Sequence, residues 1–391
     1  MKYPYYNPNL SVSDALKSLF ISKNSAEKVV KGYFSSITGK KYILLTNSCR
    51  TALYLSYKVL GIHDKEVITS PLTCKVAIDP IWASGNQPVF ADIDLGDLNI
   101  NPDDIESRIT SKTSAIQVIH LGGIACKMDK IIRIAKKNNF YIIEDCAQSL
   151  GAKYNNYSTG SFGDIACFSL IKNAYGIGGG IFATNSLTFY EKAQQIANSF
   201  DLISNKLLLF RLIRKIIETY RTNFLGAFFY RMLMKIKGSK RGYDSVLSQL
   251  KVISSLEMKI CTHQISRFQK YQTIRKKNGK TFYDFLLAKN LIFNKNYDPE
   301  ISSFTKLFVY NDKIESYNSI ANLRKKEIEC MHLEHRHSSP IQEKFMSSTE
   351  AVNYNLYNYL KAHDSIISLP LHEKLKESDI EQITLEFQNS L

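Results

Sequence analysis

The stretch that decides the fold is IIEDCAQSLGAKYNNYSTGSFGDIACFSLIKNAYGIGGGIFATN, residues 142–185. Three short apolar runs begin in it or directly before it: YIIEDC (141–146), DIACFS (164–169) and GIFAT (180–184). The runs are continuous rather than alternating, which is typical of strands buried on both faces. Polar residues lie at or just after their ends: Asp145 is the last but one residue of the first run, and Lys172 comes three residues after Ser169 at the end of the second. The stretch predicts buried strands with reactive side chains at their ends.

The same pattern extends towards the N-terminus. Four more runs are YILLT (42–46), EVITS (66–70), PVFADID (88–94) and SAIQVIH (114–120). Between the runs, apolar residues recur at the three-to-four spacing of a helix. This alternation predicts a mostly parallel, doubly wound α/β sheet, in which ligands bind beyond the carboxyl ends of the strands. Residues 187–285 have a helical pattern, and residues 291–391 predict a smaller α+β unit that closes with a helix beginning near Glu377.

Composition places the chain among folded globular proteins. It has 391 residues, of which 44% are hydrophobic and 22% charged, and this excludes disordered and fibrous classes. The seven cysteines are scattered without a CxxC pair, as in proteins of a reducing compartment. No apolar run is long enough to cross a bilayer, and the first residues, MKYPYYNPNL, lack the apolar region of a secretion signal. We therefore expect a cytoplasmic protein.

The positive charge is confined to one segment. The net charge is +15, and residues 201–280 hold 18 lysines and arginines against four acidic residues. A nucleic-acid-binding protein would carry a broader basic surface, so we expect no nucleic-acid partner. Apolar and basic residues alternate within the segment at about 204–242, and two interpretations stay open: peripheral contact with the inner face of a membrane, or a helical insertion that packs on its own subunit or on a partner.

The strand ends in the deciding stretch carry a specific chemistry. A lysine after a buried strand, close to a carboxylate from a neighbouring strand, is what a Schiff-base cofactor requires, because the amine condenses with an aldehyde and the carboxylate keeps a ring nitrogen protonated. Lys172 and the acidic pair near the end of the 141–146 run have these positions. Farther upstream, TNSCRTAL leaves one strand and enters a helix. The free backbone N–H groups of Ser48, Cys49 and Arg50 are expected to face an anion there.

Together with LLTNSCRTALYL (44–55), VIHLGG (118–123) and the later string SLPLHEKLKESDIEQ (368–382), the deciding stretch resembles the DegT/DnrJ/EryC1/StrS sugar aminotransferases. These are pyridoxal-phosphate enzymes of the type I aspartate-aminotransferase fold. The resemblance implies a large domain with a mostly parallel seven-stranded sheet, expected at residues 1–250 with the basic helical insertion inside it. A smaller α+β domain is expected at residues 251–391.

The resemblance also implies roles for individual residues. Lys172 would bind the cofactor covalently and later act as general base, and Asp145 would pair with the pyridinium nitrogen. Gln148 would lie near the phenolic oxygen of the ring. Ser169 would give its hydroxyl to the phosphate at the start of the helix, where Ser48, Cys49 and Arg50 are placed. The reaction implied is transfer of an amino group, from glutamate, to a keto group of a nucleotide-activated sugar in a homodimer.

Three departures from the family pattern stand out. Ser169 and Lys172 are three residues apart, whereas most relatives space the equivalent pair by five. Many relatives place an aromatic residue where SPLTCKVA (70–77) has Cys74, so stacking on the cofactor ring by this loop is not expected. The Gly-x-Asn string that precedes the helix crossing to the partner subunit is not recognisable in residues 241–258. Two alternatives therefore stay open: a pyridoxal-phosphate-dependent sugar dehydratase, and a catalytically degenerate, membrane-associated scaffold of the same fold.

Two other groups of residues were weighed as sites. Cys330, His332, His335 and His337 in ECMHLEHRH have ligand chemistry that suits zinc, but their spacing fits no closed four-ligand pattern. We interpret them as an exposed polar strand or loop and expect no metal. His120 follows a strand and is expected near the cofactor cleft, either as a buried hydrogen-bonded histidine or as a catalytic one.

Overall fold

A computed structural model describes residues 2–236, 246–292, 300–332 and 355–391, together with Asn294 and Asp298. The strands are β1 (Tyr42–Thr46), β2 (Glu66–Thr69), β3 (Gln87–Phe90), β4 (Thr113–Ile119), β5 (Tyr141–Asp145), β6 (Lys153–Tyr154), β7 (Tyr157–Ser158), β8 (Ile165–Ser169), β9 (Gly180–Thr184), β10 (Leu307–Tyr310) and β11 (Ile366–Leu369). The α-helices are α1 (Val12–Leu19), α2 (Lys23–Thr38), α3 (Cys49–Leu60), α4 (Lys75–Ala83), α5 (Pro102–Ser107), α6 (Met128–Asn138), α7 (Leu187–Asn198), α8 (Asn205–Tyr220), α9 (Phe224–Ile236), α10 (Ser255–Ala288), α11 (Ser316–Lys325), α12 (Tyr357–His363) and α13 (Glu377–Gln388).

A seven-stranded sheet forms the centre of the molecule, in the order β1-β9-β8-β5-β4-β2-β3. Strands β3, β2, β4, β5 and β8 pair in parallel, and all residues of β8 and β9 are buried. The predicted α/β sheet is confirmed. Strand β9 departs from the parallel direction, because it pairs antiparallel with both β1 and β8.

The register across β9 brings three strand ends together. Thr46 of β1 and Ser169 of β8 both lie opposite Gly180, the first residue of β9. An added Cβ at Gly180 would lie 2.3 Å from the carbonyl carbon of Ser48 and 2.4 Å from the backbone nitrogen of Cys49. Only glycine therefore lets β9 approach the start of α3 this closely.

Helices cover both faces of the sheet, and α10 is the longest at 34 residues. It begins with a reciprocal capping box between Ser254 and Glu257. Its first half buries Met258, Cys261 and Phe268 in the core behind β1, β8 and β9. Its last turns bury Phe282 and Leu286 in a second core, so a single helix joins the two.

The second core lies around the β10–β11 hairpin. It holds Leu307, Ile367, Ile383 and Phe387, and Tyr3 from the start of the chain packs into it. The closing helix predicted near Glu377 is confirmed as α13. The large sheet and the smaller α+β unit match the predicted architecture, while the division of the chain near residue 250 stays a prediction.

Candidate active site

One cavity of about 850 Å³ opens at the carboxyl ends of β5 and β8 and the start of α3. All the residues predicted to serve catalysis or cofactor binding line it: Ser48, Cys49, Arg50, Asp145, Gln148, Ser169 and Lys172. They come from three separate segments of the chain. Their roles stay predictions, but the structure brings them into one place.

The start of α3 offers binding capacity for an anion. Ser48 caps the helix through its hydroxyl, which accepts from the backbone N–H of Thr51 at 3.2 Å. Cys49 has no left-handed backbone angle, so the residue that replaces the family's glycine is compatible with a regular helix start. Arg50 follows, and its buried Nε has no hydrogen-bond partner among the described residues. The positive end of the helix dipole adds to this charge.

Asp145 and Lys172 form the electrostatic centre of the cavity. The Asp145 side chain is buried, with a relative exposure of 4%, and accepts from the backbone N–H of Ala147 at 2.9 Å. Burial raises the pKa of its carboxyl above the ordinary value, while the Lys172 ammonium and the Ala147 N–H act in the opposite direction. The Cys49 thiol lies 3.7 Å from the same carboxylate and, because burial raises its pKa, stays protonated.

Lys172 lies on a turn that follows β8 directly. Leu170 begins the turn by donating to Gly179 at 3.0 Å, and its carbonyl accepts from Gly176 at 2.7 Å. Asn173 fixes the other side of the turn, where its amide nitrogen donates to the Leu150 carbonyl and to the Thr305 hydroxyl. This compact turn accommodates the short Ser169–Lys172 spacing. The Lys172 amine is half-buried and makes no hydrogen bond within the described part of the chain.

Gln148 and Ser169 complete the predicted set. The Gln148 side-chain oxygen accepts from the Gly122 N–H at 3.1 Å, which holds the amide in the cavity wall. Ser169 is the last residue of β8 and lies next to Gly180, so its position is one strand away from the start of α3. Its hydroxyl has no hydrogen-bond partner among residues that the structure describes, and it remains available to a ligand.

A second chamber of about 460 Å³ shares Lys172, Arg50, Cys74 and Gln148 with the first cavity. Cys74 therefore does reach the site, but as a thiol at the start of α4 and not as an aromatic ring. Tyrosines contribute the aromatic surface of this chamber: Tyr5, Tyr6, Tyr175 and Tyr230. Tyr175 lies in the deciding stretch, but the other three come from distant segments that no local motif marks.

The string SLPLHEKLKESDIEQ supplies an anchor for the turn of Lys172. The Glu373 carboxylate accepts from the Arg275 guanidinium, at 2.9 Å to Nε, and from the Tyr175 hydroxyl. Both Arg275 and Glu373 are almost fully buried. Tyr175 comes three residues after Lys172 and adopts a left-handed backbone angle, φ 51°. The family resemblance covered this string, but sequence reasoning gave no role to Glu373 or Arg275.

The histidine candidates lie elsewhere. His120 is fully buried, with its Nε2 3.1 Å from Glu144 and its Nδ1 accepting from the Cys126 N–H. It is thus a hydrogen-bonded core histidine. Cys330 and His332 are also buried, so the interpretation of their string as an exposed strand or loop is wrong for these two residues. The neighbouring Met331 pairs with Ser368 of β11, which draws the segment inward, while His335 and His337 lie outside the described residues.

The basic segment forms a wall of the site. Helix α8 buries Leu208, Lys215 and Thr219, and the Thr219 hydroxyl accepts from the Leu10 N–H at 3.1 Å. Arg211 lines the first cavity and bonds to Glu257 at 2.8 Å. Helix α9 behaves differently, because none of its described side chains is buried. In the described residues no helix is both long and apolar enough to span a bilayer.

Comparison with known proteins places this geometry in a family. The sequence profile of the DegT/DnrJ/EryC1/StrS aminotransferase family matches residues 7–388. Over 382 residues the chain is 27% identical to the spore coat polysaccharide biosynthesis protein SpsC of Bacillus subtilis (strain 168), covering 95% of this chain and 91% of that one. It is 36% identical over 203 residues to GDP-perosamine synthase of Escherichia coli O157:H7, an alignment that spans 49% of this chain and 56% of the relative.

Solved structures share the fold. The putative sugar aminotransferase Spr1654 of Streptococcus pneumoniae, in its PMP form, superposes with a TM-score of 0.75 at 20% identity, covering 99% of this chain and 98% of that one. The predicted type I fold is confirmed. Since the family profile spans nearly the whole chain, this protein belongs to the DegT/DnrJ/EryC1/StrS aminotransferase family.

Proposed function

We propose that this protein is a pyridoxal-phosphate-dependent aminotransferase that moves an amino group from glutamate to a keto group of a nucleotide-activated sugar, in the synthesis of a surface polysaccharide. The observation that carries the proposal is the meeting of Lys172, Asp145 and the start of α3 in one cavity. The names of the relatives support the substrate class, because one is a GDP-perosamine synthase and another acts in spore coat polysaccharide synthesis.

The residues present fit pyridoxal phosphate. Its phosphate needs donors, and the start of α3, the free Ser169 hydroxyl and the unpartnered Nε of Arg50 provide them. Its ring nitrogen needs an anionic partner, and the buried Asp145 carboxylate lines the same cavity. Its aldehyde needs an amine, and Lys172 makes no competing hydrogen bond among the described residues. Three of these groups have no side-chain hydrogen-bond partner among the described residues: the Arg50 Nε, the Ser169 hydroxyl and the Lys172 amine.

Each residue then has a task in the reaction. When bound, pyridoxal phosphate supplies an aldehyde that accepts an amino group and a ring that withdraws electrons. Asp145 holds a proton on the ring nitrogen, and the low polarity around it strengthens that interaction. The Lys172 amine takes up and returns the proton of the substrate carbon. The start of α3 fixes the phosphate, which keeps these groups in register.

Absorption spectroscopy tests the proposal. The wild-type protein with pyridoxal phosphate should show the visible absorption band of a lysine-bound cofactor, and glutamate should bleach it. Lys172→Ala should remove the band and the transfer activity, while Lys251→Ala, at another lysine lining the cavity, should retain the band. A wild-type protein that stays colourless with added cofactor would favour the scaffold alternative.

We also propose a homodimer with the cavity at its interface, and a division into two domains near residue 250. Apolar side chains at the cavity mouth support the first point, since Leu202 and Leu207 line the cavity and remain exposed in the single chain. The two cores joined by α10 support the second. Light scattering coupled to size-exclusion chromatography measures the mass of the particle, and a monomer that keeps full activity would contradict the first point.

We further propose that α9 makes peripheral contact with an anionic membrane. Phe224, Leu225 and Phe228 are 89%, 67% and 60% exposed, which is unusual for a helix that faces only water. The surrounding segment is the basic part of the chain, and anionic lipid attracts such segments. Apolar insertion and positive charge together are the two contributions that a peripheral helix needs.

A further inference from the structure

Lys215 is a buried cation in the lining of the second chamber. Its side chain is 6% exposed, and no carboxylate within the described residues lies at ion-pair distance from its ammonium group. Its one polar contact with the residues that the structure describes is a hydrogen bond of 3.2 Å from Nζ to the Tyr6 hydroxyl, and the ammonium also faces the Tyr6 ring at 4.9 Å. A buried cation with only a phenol for a partner is costly in free energy unless a ligand supplies an anion.

Three other cations that line the chamber already have carboxylates. Arg214 pairs with Glu218 at 2.8 Å, and Arg221 pairs with Glu329 at 3.1 Å. Arg275 pairs with Glu373. These pairs neutralise their own charge and leave little for a ligand. Burial lowers the pKa of Lys215 to about 8, with the neighbouring Arg214 acting in the same direction and Glu218 against it.

The position of Lys215 relative to Lys172 is set by Tyr6. The Tyr6 hydroxyl accepts from Lys215 and donates to the carbonyl of Ile171 at 2.9 Å, directly before Lys172. The ammonium is therefore two hydrogen bonds away from the backbone of the turn that carries Lys172. Both lysines line the same chamber, which shares part of its lining with the larger cavity assigned to the cofactor.

The lining of the chamber suits a sugar ester of diphosphate. Tyrosine rings give flat apolar surface with polar edges, as sugars and bases require, and the unpaired ammonium gives the charge. We propose that the second chamber binds the sugar acceptor, with Lys215 of α8 holding its diphosphate group while the sugar faces Lys172. The inference rests on the proposed function and extends it by naming a substrate-binding residue that the basic segment contributes.

Binding of diphosphates to the cofactor-loaded protein tests the proposal. The probes are UDP, GDP, dTDP and farnesyl diphosphate, each measured by calorimetry at fixed ionic strength. Lys215→Met should weaken the best probe at least tenfold, which corresponds to about 1.4 kcal/mol. Lys215→Arg should retain most of the affinity, and Lys206→Met, an exposed lysine on the same helix, should leave it unchanged. A nucleotide as the best probe identifies a nucleotide carrier, and farnesyl diphosphate identifies a lipid carrier; both support the diphosphate site.

The reaction with glutamate separates this proposal from the proposed function. Glutamate should bleach the cofactor band of Lys215→Met at the wild-type rate, because the groups that react with the amino donor are unchanged. The unfolding temperature of this variant should not be lower than that of wild type. The inference is overturned if no probe binds, if Lys215→Met binds as tightly as wild type, or if the glutamate reaction is lost in parallel. A wild-type protein that binds diphosphates through Lys215 but does not respond to glutamate would overturn the proposed function alone.

Discussion

The ionised carboxylate of Asp145 lowers the stability of the folded chain, although the proposed reaction requires it. Because burial raises its pKa in the folded chain above the unfolded value of 3.8, the folded state binds the proton more tightly. The contribution of this group to stability is thus favourable at low pH and is lost as pH rises through the folded pKa. Without cofactor, Asp145→Asn should unfold at a higher temperature than wild type at pH 7, and the difference should vanish below pH 3.8. Thermal unfolding over a pH series measures this; a less stable variant at pH 7 would contradict it.

The same substitution should damage activity. An amide cannot hold a proton on the cofactor's ring nitrogen, so we expect Asp145→Asn to lower the transfer rate by a factor of about 100 or more. The covalent attachment to Lys172 should survive, because the amine is unchanged. Steady-state rates together with the visible spectrum distinguish a chemical defect from loss of cofactor. Wild-type turnover in this variant would show that Asp145 does not hold the proton on the ring nitrogen.

Gly180 gives a second prediction at the level of a single residue. Gly180→Ala places a methyl group against the backbone of Ser48 and Cys49, and overpacking of this kind costs about 1–3 kcal/mol. The affinity for cofactor should fall with it, since the start of α3 is displaced. Gly32→Ala in α2 is the matched control, because nothing lies within 4 Å of its added Cβ. Urea unfolding and cofactor titration of both variants provide the comparison.

Among the elements, α10, the turn after β8 and the segment that follows β11 meet at Glu373. Removing one member of a buried ion pair leaves the other charge without a partner, at a cost of about 3–5 kcal/mol. Glu373→Gln should lose about that much stability in urea unfolding, whereas Glu381→Gln, exposed on α13, should change little. The double variant Arg275→Met/Glu373→Leu should recover most of the loss. Equal stability of wild type and Glu373→Gln would show that the pair does not anchor the turn.

The elements also show what a sequence can and cannot disclose. Each strand of the central sheet was predictable within a few residues, because a continuous apolar run needs burial on both faces. The direction of β9 was not read from its own run, which looks the same either way. The connection from β8 to β9 over residues 170–179 holds no helix, and a parallel crossover needs a dozen or more residues. That length was the signal for an antiparallel strand.

At the scale of the whole molecule, the cofactor residues were predictable since each belongs to a local string of the family. Tyr6 and Lys215 were not, because they lie outside these strings, and Glu373 was not, because its string came without a role for any single residue. Nothing in MKYPYYNPNL marks a contact with α8. The charge of the basic segment does not show which of its side chains are buried and which are exposed. The burial of Lys215 on one side and the exposure of Phe224 on the other emerge only from packing.

The exposed face of α9 leads to a prediction for the whole particle. The protein should float with vesicles that contain anionic lipid, and less so at high salt, because screening weakens the attraction of basic segments. Phe224→Ser/Phe228→Ser should remain in the soluble fraction. Phe20→Ser, which changes a phenylalanine 90% exposed after α1, is the control and should float like wild type. Equal flotation of wild type and the double variant would assign α9 to another partner.

The link between Tyr175 and Glu373 has a consequence for synthesis on the ribosome. The two residues are 198 positions apart, so at typical elongation rates roughly 10–40 s pass between their appearance. During that interval the nascent chain has its lysine and most of its central sheet but not the carboxylate that anchors the turn. A chain arrested on the ribosome before residue 373 should therefore fail to bind pyridoxal phosphate, and its visible absorption should appear only late in translation.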